Sequence, residues 1–120
     1  MVAESTSSGR GAVVLINSEQ MGRGDDGLGA RLLKNFLLTL PTVDPKPEAI
    51  VFYNGAVRLL APDSPSVDAL KKLDEAGVDL LACVTCLEHF GLLERIAVGR
   101  VSNMREIVQH TMDASKVITI

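Results

Sequence analysis

Three runs, Ala12–Ile16, Ala49–Tyr53 and Val78–Ala82, are almost wholly apolar and show no polar alternation. A strand with one wet face alternates apolar and polar side chains; a strand covered on both faces reads apolar throughout. Runs of this length, rich in Val, Ile and Leu, therefore predict buried strands of a parallel sheet lying between layers of helix. Parallel neighbours cannot be joined by a tight hairpin and need a crossover, usually helical. The intervening sequence supplies one each time. Leu28, Leu32, Leu33, Phe36, Leu37 and Leu40 form one broad helical face, with Asp25 as N-cap and Pro41 as the stop. Ser64 as N-cap and Pro65 at the first helical position open a second helix, with Val67, Leu70, Leu73 and Ala76 inward and Gly77 at its end. A short helix over Thr85–Phe90 ends at Gly91. A weaker strand near Val98–Ser102 leads to a helix with Met104, Ile107, Val108, Thr111 and Met112 on one side, and Lys116–Ile120 closes the chain as a strand. Val57–Leu60 fits either a strand extension or a turn. The reading is an α/β three-layer sandwich with a mainly parallel five-stranded sheet over residues 12–120, preceded by a small, polar, disordered lead or linker over residues 1–11.

Size and charge narrow the function. With 120 residues, 47% hydrophobic and 22% charged, the chain fits one globular domain. A net charge of -3 offers no basic field to nucleic acid or to an anionic membrane. Three Phe, one Tyr and no Trp make a poor stacking platform for bases or sugars. No apolar run approaches the roughly 20 residues that cross a bilayer. The first residues lack the apolar core of a secretory signal, which predicts a cytoplasmic protein.

In open α/β sheets, ligands bind beyond the carboxyl ends of the strands. Three segments fall there: Asn17–Asp26, Asn54–Arg58 and Cys83–Cys86. The last carries the chain's two cysteines as Cys83-Val84-Thr85-Cys86. Cys83 stands where a buried strand gives way to a helix, and backbone N–H groups at such a junction favour a reachable thiolate. Cys86, about one turn further on, would resolve or accept what Cys83 carries. Asn17 and Asn54 are placed to stabilise an anion there, with Arg23 and Thr85 completing the expected set. Two inert buried cysteines are the plain alternative, because free Cys is among the most buried residue types. Cys83, Cys86 and His89 diverge along a helix and have no fourth ligand in view, so no metal is expected and His89 reads as a surface histidine. A thioredoxin-like thiol–disulfide protein also carries C-x-x-C. Against that reading, the motif follows the third strand, and Thr85 stands where a proline often precedes the second cysteine. Gly22-Arg23-Gly24-Asp25-Asp26-Gly27 is formally G-x-G-x-x-G. Five residues separate it from the first strand, however, and the second strand ends in Tyr53-Asn54 without a carboxylate for a ribose. No dinucleotide, and no cofactor, is expected. The segment reads as a flexible lid or an anion-contacting turn, with Arg23 its permanent positive charge.

Asn17-Ser18-Glu19-Gln20-Met21-Gly22-Arg23-Gly24-Asp25-Asp26, Val51-Phe52-Tyr53-Asn54, Cys83-Val84-Thr85-Cys86-Leu87 and Ala97-Val98-Gly99 together resemble the C-terminal domain of YedF-type selenium-metabolism proteins. That domain belongs to the DsrE/DsrF-like sulfurtransferase group, and the resemblance spans about residues 12–120. It implies a flavodoxin-like, five-stranded sheet, assembly into homo-trimers or hexamers, and an active cysteine after the third strand, at Cys83. It further implies that sulfur or selenium is held there as a persulfide and passed to a partner thiol, with a TusA-like carrier as exchange partner. Many such domains read Cys-Gly-Thr-Cys; Val84 replaces the glycine here. A TusA-like domain usually precedes them; the Ser/Gly-rich lead is expected to be either the linker that follows such a domain or the start of a C-terminal unit encoded alone. The competing expectation is a non-catalytic oligomeric binding module for such a carrier, with apolar faces such as Leu92, Leu93 and Ile96 serving packing.

Overall fold

The computed structural model describes residues 11–120. The lead expected over residues 1–11 lies, apart from Gly11, outside the described residues. Five strands form one sheet: β1 (Ala12–Ile16), β2 (Ala49–Phe52), β3 (Asp79–Cys83), β4 (Arg100–Ser102) and β5 (Lys116–Thr119). Their order is β4-β3-β2-β1-β5, and all four pairings are parallel, so the sheet is wholly rather than mainly parallel. Helices α1 (Asp26–Thr39), α2 (Val67–Glu75), α3 (Val84–His89) and α4 (Met104–Asp113) connect them.

Side-chain parity sorts the core into two layers. Val14, Ile16, Ile50, Phe52, Leu80 and Ala82 meet Leu33 and Leu37 of α1, Leu70 and Leu73 of α2 and Leu87 of α3. Val13, Ala49, Val51, Leu81 and Cys83 face the other way, where Ile107 of α4 covers them. Every residue of the central β2 is buried, as an unalternating apolar run demands. The two layers are unequal: among the described residues, one helix alone covers the second face.

Several expectations shift. Segment 57–60 is neither extension nor simple turn; Asn54–Leu60 winds as a 3-10 helix and buries Ala56, Val57, Leu59 and Leu60. Helix α2 begins at Val67, three residues after the expected cap. Ser64-Pro65-Ser66 instead form a turn, with the Ser66 N–H donating to Ser64 Oγ at 3.1 Å and the Val67 N–H to the Ser64 carbonyl at 3.3 Å. The broad face of α1 is only partly used: Gly29, Leu33 and Leu37 are buried, while Leu28 and Leu32 are 49% and 42% exposed. On α4, Ile107 is buried, whereas Met104, Val108 and Met112 stand in solvent. β4 spans three residues and is fastened by charge. Arg100 donates to both Asp79 oxygens at 2.9 and 2.8 Å and to both Glu106 oxygens at 3.0 and 2.7 Å. Among the described residues, no helix is long and apolar enough to cross a membrane.

Candidate functional site

The carboxyl ends of β1, β2 and β3 present the three expected segments side by side. After β2, Asn54 takes a left-handed backbone conformation (φ 52°), a shape that asparagine tolerates better than most residues. The bend aims the Asn54 N–H at Cys86, whose Sγ accepts it at 3.0 Å. After β3, Cys83 closes the strand and α3 begins at once. That helix lasts six residues and is ended by Gly91 (φ 68°). The Gly91 and Leu92 N–H groups donate to the Glu88 and Leu87 carbonyls at 3.2 and 2.8 Å, a Schellman stop that sets Phe90 at the mouth of the site.

Asn54, Thr85, Cys86, His89 and Phe90 line one cavity of about 310 Å³. His89 meets the Phe90 ring edge-to-face, with centroids 4.9 Å apart. Three of the expected residues, Asn54, Thr85 and Cys86, thus come together. Cys83 does not join them at the surface. Its side chain is 2% exposed and packs with Val13, Val51, Leu81 and Ile107 on the α4 face of the sheet. The expected opening at Cys83 is therefore corrected: strand parity turns this sulfur inward, and the partly exposed Cys86 is the thiol that reaches the cavity.

The electrostatics of Cys86 also differ from a simple ionised thiol. Burial, the largest influence, pushes its proton affinity up. The Asn54 N–H works the other way by stabilising the anion, and the neighbouring Cys83 thiol adds a further upward push. Burial prevails, and the Cys86 thiol is held above its ordinary value.

Asn17 and Arg23 sit apart, in a second cavity of about 430 Å³ with Ser18, Gln20, Asp26 and Ile120. Asn17 Nδ2 reaches the Tyr53 hydroxyl at 3.4 Å, tying this loop to the end of β2. The stretch that leads into Gly22 is pinned to α1 and to itself. Ser18 Oγ donates to the Gln20 carbonyl at 2.7 Å, and the Met21 N–H donates to the Gly29 carbonyl at 2.9 Å.

The sequence reading missed the next neighbours of the cysteine cavity. Arg58 lies over the Phe90 ring at 4.2 Å and bonds Glu19 at 3.2 Å. No spacing rule pairs residues 19, 58 and 90; the only signal was that each falls in or just after a segment at the carboxyl edge.

A profile of the DsrE/DsrF-like family matches residues 20–120. Among solved structures, the YchN protein of E. coli superposes with a TM-score of 0.72 at 18% identity, covering 92% of this chain and 99% of that one. A protein of unknown function from Methanobacterium thermoautotrophicum gives 0.66 at 20% identity, covering 91% and 97%. Another, from Bacteroides thetaiotaomicron, gives 0.65 at 16% identity, covering 98% and 100%. At these identities the likeness speaks for the fold. No curated protein matches the chain.

Proposed function

The chain belongs to the DsrE/DsrF-like family, and on that premise we propose that it is a sulfur-relay protein whose Cys86 takes up sulfane sulfur from a persulfide and hands it to another thiol. The observation that carries this reading is Cys86 Sγ lining a cavity and accepting the Asn54 N–H, with a second thiol beside it.

The Cys86 thiol first yields its proton to the donor or to solvent. Its sulfur then attacks the outer sulfur of a donor persulfide, forming a Cys86 S–S bond while the donor's own S–S bond breaks and the donor leaves as a thiolate that takes up a proton. Discharge repeats the exchange: an acceptor thiolate attacks the outer sulfur, and Cys86 leaves as thiolate. No net oxidation occurs in either half. The Asn54 N–H assists both halves, because it favours negative charge on the Cys86 sulfur. Cys83, assigned the carrier role by the family resemblance, becomes here the buried neighbour of Cys86. A TusA-like carrier remains the exchange partner that the resemblance suggests, for sulfur or for selenium. The homo-oligomer it suggests is supported by the exposed stripe of Met104, Val108 and Met112 along α4.

Mass spectrometry after incubation with a persulfide donor tests the assignment. One added sulfur is expected on the Cys86 peptide, kept in Cys83→Ser and lost in Cys86→Ser. Sulfur that survives Cys86→Ser and vanishes in Cys83→Ser reverses the roles, and no added sulfur in the unaltered protein removes the reading.

A further inference from the structure

Beside the cysteine cavity lies another, of about 340 Å³, and Phe90 is a wall of both. Its charged lining is Arg58 and Arg95 with Glu19 and Asp63, two positive and two negative groups beside Ser64 and the apolar Phe90 and Leu92. Arg58 is oriented: Phe90 supports the face of its guanidinium and Glu19 takes one N–H, which leaves other donors at its edge unused. Arg95 and Asp63 have no ion-pair partner among the described residues. A cavity that offers an unpaired guanidinium and an unpaired carboxylate suits a ligand carrying both charges close together. A purely anionic ligand would meet Glu19 and Asp63, and a purely cationic one the two arginines.

The geometry points to a donor subsite: the Arg58–Arg95 cavity holds the amino-acid zwitterion of a small thiol peptide whose persulfide enters the neighbouring cavity and meets Cys86. This inference rests on the sulfur-relay reading and names its donor class, a low-molecular-weight persulfide with an ammonium and a carboxylate set some bonds away from its sulfur. The zwitterion's carboxylate faces Arg95 and the free edge of Arg58, and its ammonium faces Asp63. Charge-assisted hydrogen bonds of this kind are the stronger sort, and several together separate a matching ligand from a neutral one. The reaction is the exchange already described: the peptide's S–S bond breaks, the peptide leaves as its thiol, and the outer sulfur stays on Cys86.

The test loads the full chain with sulfur from three donors: glutathione persulfide, the neutral 2-hydroxyethyl hydrodisulfide and inorganic polysulfide. The rate at which sulfur appears on the Cys86 peptide is followed by mass spectrometry. The second-order rate constant for glutathione persulfide should exceed that for the neutral donor at least about tenfold. That ratio should fall towards one in Arg95→Met and in Asp63→Asn, both changes at exposed side chains. Equal rates for the two organic donors in the unaltered protein overturn the subsite while leaving sulfur relay standing. A preference that persists in both variants overturns the assigned cavity. Loading from none of the three donors overturns the subsite, and a protein-borne persulfide run alongside separates the two readings: if it loads Cys86 the relay reading stands, and if it does not the relay reading falls as well.

Discussion

The two cysteines should differ in reactivity by orders of magnitude, and the structure sets the scale. Cys86 borders a cavity, so iodoacetamide reaches it in the native fold. Cys83 is 2% exposed in the layer between β1, β2, β3 and α4, and alkylating it requires that layer to open. Because the layer is part of the only sheet among the described residues, opening costs a large share of the folding free energy, at least about 5 kcal/mol for a small domain. At about 1.4 kcal/mol per factor of ten, Cys83 should react more than about a thousandfold more slowly than Cys86. Timed labelling with peptide mass spectrometry measures both rates at once, and moderate denaturant should speed Cys83 far more than Cys86. The pH dependence is a second handle. Since burial pushes the Cys86 thiol up, its labelling should still be climbing above the ordinary thiol value of about 8.5 instead of levelling off near neutrality. Comparable rates for the two thiols in native buffer would refute the burial argument and return Cys83 to the carrier role.

Glu106 is held down to about 2 by Arg100 and then by Ser102, so its contribution is present above the unfolded carboxylate value and is lost as pH falls towards 2. Its side chain is 34% exposed, so solvent screening limits the loss in Glu106→Gln to about 1 kcal/mol. Urea melts of the variant should show that loss at neutral pH and a shallower decline of stability between about pH 5 and pH 2. At Gly29, an added Cβ would lie 2.8 Å from Gln20 Cβ and 3.4 Å from the Met21 nitrogen. Alanine is the better helix former by about 1 kcal/mol, but overpacking costs about 1–3 kcal/mol, so Gly29→Ala should lower the melting temperature. A rise would show that the loop after β1 does not rest on α1.

The architecture was legible because its strongest signals were physical necessities. An apolar run without alternation, such as Ala49–Tyr53, has few homes other than a strand covered on both faces. Gly77 and Gly91 end helices where the chain must turn left-handed. What escaped depended on neighbours distant in the chain. The apolar face of α1 is wider than the strip of sheet beneath it, and nothing local marks Leu28 and Leu32 as the residues left over. Ser64 has the features of an N-cap, yet Pro65 serves equally well inside a turn, and tertiary packing chose the turn. Arg58 met Phe90 and Glu19 only because the ends of β1, β2 and β3 converge.

The cysteine pair shows how much a simple periodicity already contains. In β3, Asp79, Leu81 and Cys83 point to one face, while Leu80 and Ala82 point to the other. Leu81, in the middle of a strand buried on both sides, cannot face solvent, so Cys83, two residues on, shares its face and is carried under α4 with it. Once the chain turns into α3, that parity lapses and the helical period takes over. Cys86, the third helical residue, swings to the edge of the sheet while Leu87 turns into the core. A C-x-x-C that straddles the end of a buried strand therefore yields one enclosed sulfur and one at the opening. A motif placed wholly within a helix, with both cysteines on its first turn, need not divide them this way. The boundary at Cys83–Val84, more than the cysteine spacing, determines which thiol reaches the cavity.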